Sequence, residues 1–343
     1  MDYTIKLSSD NFMNSFSAID THVGGADCRV IYAGFPEPEG DSVMERKHFF
    51  EKNCDMLRAS LMNEPRGHRD MTGVVLGEPV SPEADIAVYF IDSGGWLNMC
   101  GHCTIGTTIA ILETGIVPMS EPITELVLET PSGLIRTRAV CENGKVKEVT
   151  MTNTPAFLYG TGYEFEWKNQ LVRYDIAYGG SFFALVDATQ PSVNLEVAGA
   201  TIPELTEIGM AIINSIPAGM VKHPYLDINT VDLATFYTPP LSSDADGRGT
   251  NIFGAGQADR TAGGTATSAF MAMKYAEGAL KVGDTFINES CIGSKFTGQI
   301  VDVTKVGEYD APIIEISGNG HIYSRAEYMI APDDEHKYGF VIG

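Results

Sequence analysis

The sequence predicts a sheet-dominated α/β protein built as two similar halves. Three observations lead there: short strand-like runs punctuated by turn signals, only a few helical stretches, and an internal repeat centred on two glycine-rich helix starts. With 343 residues and 44% apolar side chains, the chain can fill two cores of ordinary size.

In chain order, residues 28–32 form the first clear strand-like run. Residues 44–62 follow an Asp41-Ser42 cap and carry apolar side chains at helical spacing, which predicts one helix. Residues 86–90 and 182–186 are apolar runs of strand length, and Phe12, Phe16 and the Phe182-Phe183 pair are expected in the core. Helices are predicted over 101–114 and 264–278, and a further one near 206–215. No Pro/Ser-rich linker separates the halves. The expected division sets 1–138 with 320–343 as an N-terminal domain carrying Cys100, and 139–319 as a second domain carrying Asp259 and Gly263.

The repeat aligns residues 100–115 with 263–278. Gly101 meets Gly264, Thr104 meets Thr267, and Gly115 meets Gly278. Each segment reads as a glycine turn, an apolar helix and a closing glycine beyond its C-terminus. Each also follows a glycine-bearing loop, Ser93-Gly94-Gly95 in one half and Gly254-Ala255-Gly256 in the other.

Charge and cysteine usage narrow the function. The 45 acidic against 23 basic residues leave a formal charge of −22, which repels nucleic-acid backbones and anionic lipid surfaces. Neither partner is expected. Residues 1–11 are polar and charged, with no apolar export signal, so a cytoplasmic protein is expected. The longest stretch free of Asp, Glu, Lys and Arg, 93–112, is interrupted by Asn98, His102, threonines and glycines and does not read as a membrane span. The six cysteines at 28, 54, 100, 103, 141 and 291 are scattered, which predicts free thiols.

Two facing helix N-termini suit a carboxylate, because the first-turn N–H groups lack intrahelical acceptors and the helix dipole is positive there. The same field favours the thiolate of a cysteine placed at the helix start, and Cys100 stands at that point of the first half. Such a thiolate can act as a general base towards an acidic carbon.

Met99-Cys100-Gly101-His102 with Thr104-Ile105-Gly106 resembles the first signature of the proline racemase family. The run from Asp259-Arg260-Thr261-Ala262-Gly263-Gly264-Thr265 to Ala269 resembles the second. Further pieces keep family order between residues 19 and 340: Asp20-Thr21-His22-Val23-Gly24-Gly25, Asn63-Glu64-Pro65-Arg66-Gly67-His68, Gly179-Gly180-Ser181-Phe182-Phe183, Glu289-Ser290-Cys291-Ile292-Gly293-Ser294 and Tyr338-Gly339-Phe340. The resemblance implies two pseudo-symmetric α/β domains of the diaminopimelate-epimerase kind. Each is a twisted, mostly antiparallel sheet or barrel around a central helix, with the active site in the cleft between them. It implies an enzyme without metal, PLP or other cofactor that acts on a small proline- or hydroxyproline-like imino acid, and a homodimer stays open. It further implies Cys100 as the base and a carboxylate held by N–H groups around Gly101, His102, Gly264 and Thr265. His102 and Asp259 would lie at the ring nitrogen, and Phe253 and Thr72 near the ring.

The chain departs from the family pattern at three places. Gly263 stands where a racemase of this family carries its second catalytic cysteine and where the family's trans-3-hydroxy-L-proline dehydratases carry threonine. Ala262 replaces a proline, and Thr72 replaces an aromatic residue. Glycine transfers no proton, so the leading expectation is one-base dehydration of trans-3-hydroxy-L-proline. The alternative is proline racemisation or hydroxyproline 2-epimerisation with water or another thiol as second acid. Cys103, one turn from Cys100, is expected on the same side, and Cys291 is expected as a small buried hydrophobe. A binding protein without catalysis, and a C-x-x-C thiol oxidoreductase at Cys100-Gly101-His102-Cys103, complete the readings. Gly254-x-Gly256 lacks the third glycine of a dinucleotide loop and reads as a turn. His22, His68 and His223 read as ordinary hydrogen-bonded histidines.

Overall fold

The computed structural model describes Ser8 and residues 11–342, so most of the N-terminal stretch read for export signals lies outside the described residues. The first half runs through β1 (Asn14–Val23), β2 (Ala26–Ala33), α1 (Val43–Asn53), α2 (Asp55–Met62), β3 (Thr72–Gly77), β4 (Ile86–Asp92), β5 (Trp96–Leu97), α3 (Gly101–Glu113), β6 (Ile123–Thr130), β7 (Gly133–Glu142) and β8 (Lys145–Thr152). The second runs through β9 (Phe157–Trp167), β10 (Gln170–Tyr178), β11 (Phe182–Asp187), α4 (Ile202–Ser215), β12 (Val231–Thr238), β13 (Gly247–Phe253), β14 (Gln257–Ala258), α5 (Gly264–Ala276), β15 (Thr285–Ser290), β16 (Lys295–Val306), β17 (Tyr309–Gly318) and β18 (Gly320–Ile330).

The pairings are duplicated strand for strand. In the first half β1–β2 is antiparallel, β2–β3 parallel, β3–β4 and β4–β5 antiparallel, β4–β6 parallel, and β6–β7–β8 antiparallel. The same series recurs from β10 to β17. Each series gains a strand from the other end of the chain, β18 on β1 and β9 on β10, and β8 pairs with β17. Residue 138 lies within β7, which the repeat sets opposite β16.

The duplication reaches single hydrogen bonds. Before β4, Glu129 accepts the N–H groups of Val80 (2.6 Å) and Ser81 (3.2 Å), while Asp85 accepts that of Val127 (2.7 Å). Before β13, Glu289 accepts those of Leu241 (2.9 Å) and Ser242 (3.3 Å), while Asp246 accepts that of Ile287 (2.7 Å). Charge-assisted bonds of this kind fix the entry into the strand that carries each site loop.

Each half wraps its sheet around one helix. β1, β2, β3, β7, β8 and β18 pack on α3, and β9, β10, β11, β16 and β17 pack on α5. Every residue of α3 from Gly101 to Leu112 is buried, so the helix is enclosed on all sides rather than presenting one apolar stripe. Each fully buried isoleucine there stabilises the fold by about 1.5–3 kcal/mol. The closing glycines adopt the predicted left-handed turns, Gly115 at φ 75° and Gly278 at φ 76°.

Three details differ from the sequence reading. The helix expected over 44–62 is two helices. Ser42 caps the first by accepting the Glu45 N–H (3.2 Å), but Cys54 leaves helical geometry (φ −127°, ψ 6°), ending α1 and opening α2. The helix near 206–215 begins one turn earlier, at Ile202, where Pro203 suits a first turn that needs no N–H acceptor. Phe12 is only half-buried, whereas Phe16, Phe182 and Phe183 are core. Among the described residues no helix is long and apolar enough to cross a membrane.

Candidate active site

The N-termini of α3 and α5 meet head to head. A methyl group built on Gly101 would lie 3.1 Å from the Gly264 Cα, and one built on Gly264 would lie 3.4 Å from the Gly101 Cα. The approach is tight at Gly101, where a side chain would press on the Gly264 backbone, and close to ordinary contact at Gly264. It leaves the unpaired N–H groups of both first turns at the floor of one cleft of about 440 Å³. Cys100, Gly101, His102, Gly263, Gly264 and Thr265 line that floor. Thr72, Phe253 and Asp259 also line the cleft, which thus gathers all the site residues expected from the sequence.

The two glycine loops close over it. Gly254 and Gly256 form the turn between β13 and β14, with both at positive φ, as the sequence reading anticipated. Gln257 Nε2 donates to Ser93 Oγ (2.7 Å), and Arg69 reaches across to donate to the carbonyls of Ala255 and Gly256 (3.0 Å each). Arg260 pairs with Asp70 (2.8 Å) and strengthens the seam.

Cys100 is the N-cap of α3. Its sulfur lies 3.5 Å from His102 Nδ1, and the other ring nitrogen, Nε2, lies 2.8 Å from Thr72 Oγ1. Thr72 donates its own proton to the Asp27 carbonyl, so it can only accept from His102. A doubly protonated imidazole satisfies this chain of partners: Nδ1–H points to a thiolate and Nε2–H to Thr72. Hydrogen bonding from Cys103 and the charge of His102 outweigh burial and hold the Cys100 thiol well below its ordinary value. Burial alone would depress His102, but the Cys100 charge and hydrogen bond push it up to about 10. Burial and the neighbouring Cys100 hold Cys103 well above the thiol range, so it remains a donor.

The corresponding point of the second half carries no ionisable side chain. Gly263 caps α5 at φ 69° and ψ 109° and donates its N–H to Thr261 Oγ1 (3.0 Å). Asp259 accepts from the Thr261 N–H and hydroxyl through Oδ1 (2.8 Å each) and from Asn251 Nδ2 through Oδ2 (3.0 Å).

Among the lining residues that the sequence reading did not place in the site, two bear on its chemistry. Asp92, at the end of β4, is 2% exposed and turns Oδ1 onto the N–H groups of Gly94 (2.7 Å) and Gly95 (2.6 Å). Burial, reinforced by the Cys100 charge, pushes its carboxyl up to about 6 against the pull of those N–H groups. Asn251 lies in the middle of β13. An aspartate before Ser-Gly-Gly and a carboxamide within a buried strand are the sequence signals that could have marked them.

Cys103 lies on the Cys100 side, as expected, with its sulfur within 4.8 Å of that of Cys100. Cys291 is buried, lines no part of this cleft, and donates to the Asp259 carbonyl (3.6 Å). All six cysteines are free. Of the dispersed histidines, His68 bonds Asp27 (2.9 Å) and His223 accepts from Tyr225 and Leu226 (3.2 and 3.0 Å). His22 Nδ1 is buried without a partner among the described residues, contrary to expectation. The ligand atoms of Cys100, His102 and Cys103 are close enough to share a soft cation, though only by breaking the Cys100–His102 pair.

Two duplicated sheets thus wrap two helices that meet head to head, and a cysteine–histidine pair stands at the junction of one helix only. Residues 18–341 match the proline racemase family model, and the chain belongs to that family. It is 42% identical over 334 residues to the proline racemase of Clostridioides difficile, covering 96% of this chain and 99% of the relative. It is 33% identical over 330 residues to a trans-3-hydroxy-L-proline dehydratase of Bacillus cereus, covering 96% and 98%. A solved hydroxyproline epimerase from Agrobacterium vitis, with bound trans-4-hydroxy-L-proline, superposes with a TM-score of 0.90 at 30% identity over 97% of this chain and 96% of that one. Like these relatives, the chain is an enzyme.

Proposed function

We propose that the enzyme removes the α-hydrogen of a hydroxyproline with the Cys100 thiolate and dehydrates trans-3-hydroxy-L-proline. The observation that carries this reading is the one-sided chemistry of the cleft: a thiolate–imidazolium pair at the start of α3, and a glycine at the matching place of α5. The N–H groups of Gly101, His102, Gly264 and Thr265 hold the carboxylate, which also acidifies the α-hydrogen by keeping the developing charge near positive dipole ends. Asp259 takes the ring nitrogen, Phe253 packs beside the ring, and Thr72 orients His102.

Stereochemistry favours this substrate. In trans-3-hydroxy-L-proline the hydroxyl is trans to the carboxylate and therefore on the same face as the α-hydrogen. A base and an acid drawn from the same half, Cys100 and Asp92, can serve both. Cys100 takes the proton, the Cα–H electrons form the Cα–Cβ double bond, and the hydroxyl leaves as water with a proton from Asp92. The enamine product then tautomerises to the cyclic imine.

A second reading, inversion at Cα with water as the returning acid, is favoured by the 42% identity to a proline racemase. L-proline, trans-4-hydroxy-L-proline and trans-3-hydroxy-L-proline incubated in D₂O and followed by NMR separate the two. Loss of water from the 3-hydroxy acid alone is the expected result, and inversion without dehydration would sink the lyase reading. Cys100→Ala should lower either activity by about 10³-fold or more.

A further inference from the structure

A methyl group built on Gly263 would overlap Asn251 Nδ2 and come within 3.0 Å of Ala266 Cβ. The space that a side chain at 263 would need is therefore already filled, from a different strand. Asn251 is 2% exposed and contributes to the cleft wall. Its amide is held in one orientation: Oδ1 accepts from Thr235 (2.9 Å), and Nδ2 donates to Asp259 Oδ2 (3.0 Å), an acceptor-only carboxylate that the carbonyl end could not approach. Nδ2 makes no other hydrogen bond among the described residues, and it is the atom that occupies the Cβ position of residue 263, where both residues line the cleft.

Cys100 and Gly263 are the N-caps of two helices whose first glycines touch, so they flank any carboxylate gripped between them from opposite sides. We infer that Asn251 takes the place of a side chain at 263 and is the residue that determines reaction specificity in this cleft, presenting to the substrate face opposite Cys100 a carboxamide that donates a hydrogen bond and transfers no proton. This rests on Cys100 acting as the base from its own side. The consequence is that a glycine alone does not make the site one-sided. Removing the carboxamide opens the volume, and a thiol placed there gains access to the opposite face of Cα.

The test is a double-mutant cycle of Gly263→Cys and Asn251→Val in the full chain, reading the melting temperature and the inversion of L-proline in D₂O. Gly263→Cys carries the positive-φ strain, the close approach to Ala266 and the overlap with Asn251 Nδ2, whereas the double variant keeps the first two and loses the severest of the three, the overlap with the amide. The double variant should therefore melt at least about 5 °C higher than the sum of the single effects predicts. It should also invert proline at least about tenfold faster than either single variant, the gain of a positioned acid–base group. Additive melting shifts, or equal inversion by Gly263→Cys with Asn251 still present, would overturn the inference. So would a coupled, folded double variant that gains no inversion. The unsubstituted enzyme assayed alongside separates the two claims: if it dehydrates trans-3-hydroxy-L-proline and the cycle fails, only the role of Asn251 falls. If it does not and the cycle succeeds, only the dehydratase reading falls.

Discussion

The starts of α3 and α5 share backbone and differ in chemistry. Both open on glycine, both expose first-turn N–H groups to the same cleft, and both are wrapped by the same series of strand pairings. At α3 the cap is a thiol beside an imidazole, and at α5 it is a glycine beside a carboxamide. Presenting N–H groups and a dipole to an anion needs only main chain, and both copies do so. Moving a proton needs an ionisable side chain at the cap, and of the two caps only Cys100 has one.

The comparison breaks most sharply at His102. His102→Gln removes the imidazolium that stabilises the Cys100 thiolate, so activity at pH 7 should fall by about 10²-fold and the thiolate absorbance should appear at higher pH. In the unsubstituted enzyme, activity should rise as Cys100 ionises, well below the ordinary thiol range, and fall again near pH 10 as His102 loses its proton. A profile with no alkaline limb near 10 would remove the imidazolium from the mechanism.

The shared feature is tested at the glycine contact. Gly101→Ala forces a methyl group against Gly264 and should push the two helix ends apart, at a cost of about 1–3 kcal/mol in stability. The Michaelis constant should rise more than kcat falls, because the carboxylate grip is lost while the thiolate remains. Equal effects on both would mean that the helix contact serves the chemical step.

Asp92 carries a smaller effect on activity than His102 and the most informative sign. Its folded-state carboxyl lies near 6, above its ordinary value of 3.8, so between those values the folded protein binds the extra proton. Stability is therefore highest below pH 3.8 as far as this group is concerned, declines as pH rises from there through 6, by up to about 3 kcal/mol, and levels off above. Asn keeps the acceptor for Gly94 and Gly95. Asp92→Asn should thus melt higher than the unsubstituted enzyme at pH 8 and lose that advantage at pH 4, while dehydration falls by about tenfold and α-deuterium exchange persists. Equal loss of exchange and dehydration would assign Asp92 to positioning rather than to proton delivery.

Local chemistry made much of this legible in advance. Gly115 and Gly278 announced two helix ends because only glycine takes their left-handed turns cheaply. Cys100 and His102 stood out because a thiol at a helix start is a recognisable chemical arrangement. The kink at Cys54 was not legible, since the apolar spacing of 44–62 continues through a break that only the surrounding packing imposes. Asn251 was equally hidden, lying in β13, 12 positions before the helix cap Gly263.

The sequence by itself determined the repeat, the helix starts and the asymmetry of cysteine against glycine, because each is a property of a few neighbouring residues. The tertiary structure decided what fills the space above Gly263, which carboxyl is driven up towards 6, and that Thr72 accepts from His102. These depend on residues far apart in the chain being brought within a few ångströms, where overlap, desolvation and hydrogen-bond polarity are set.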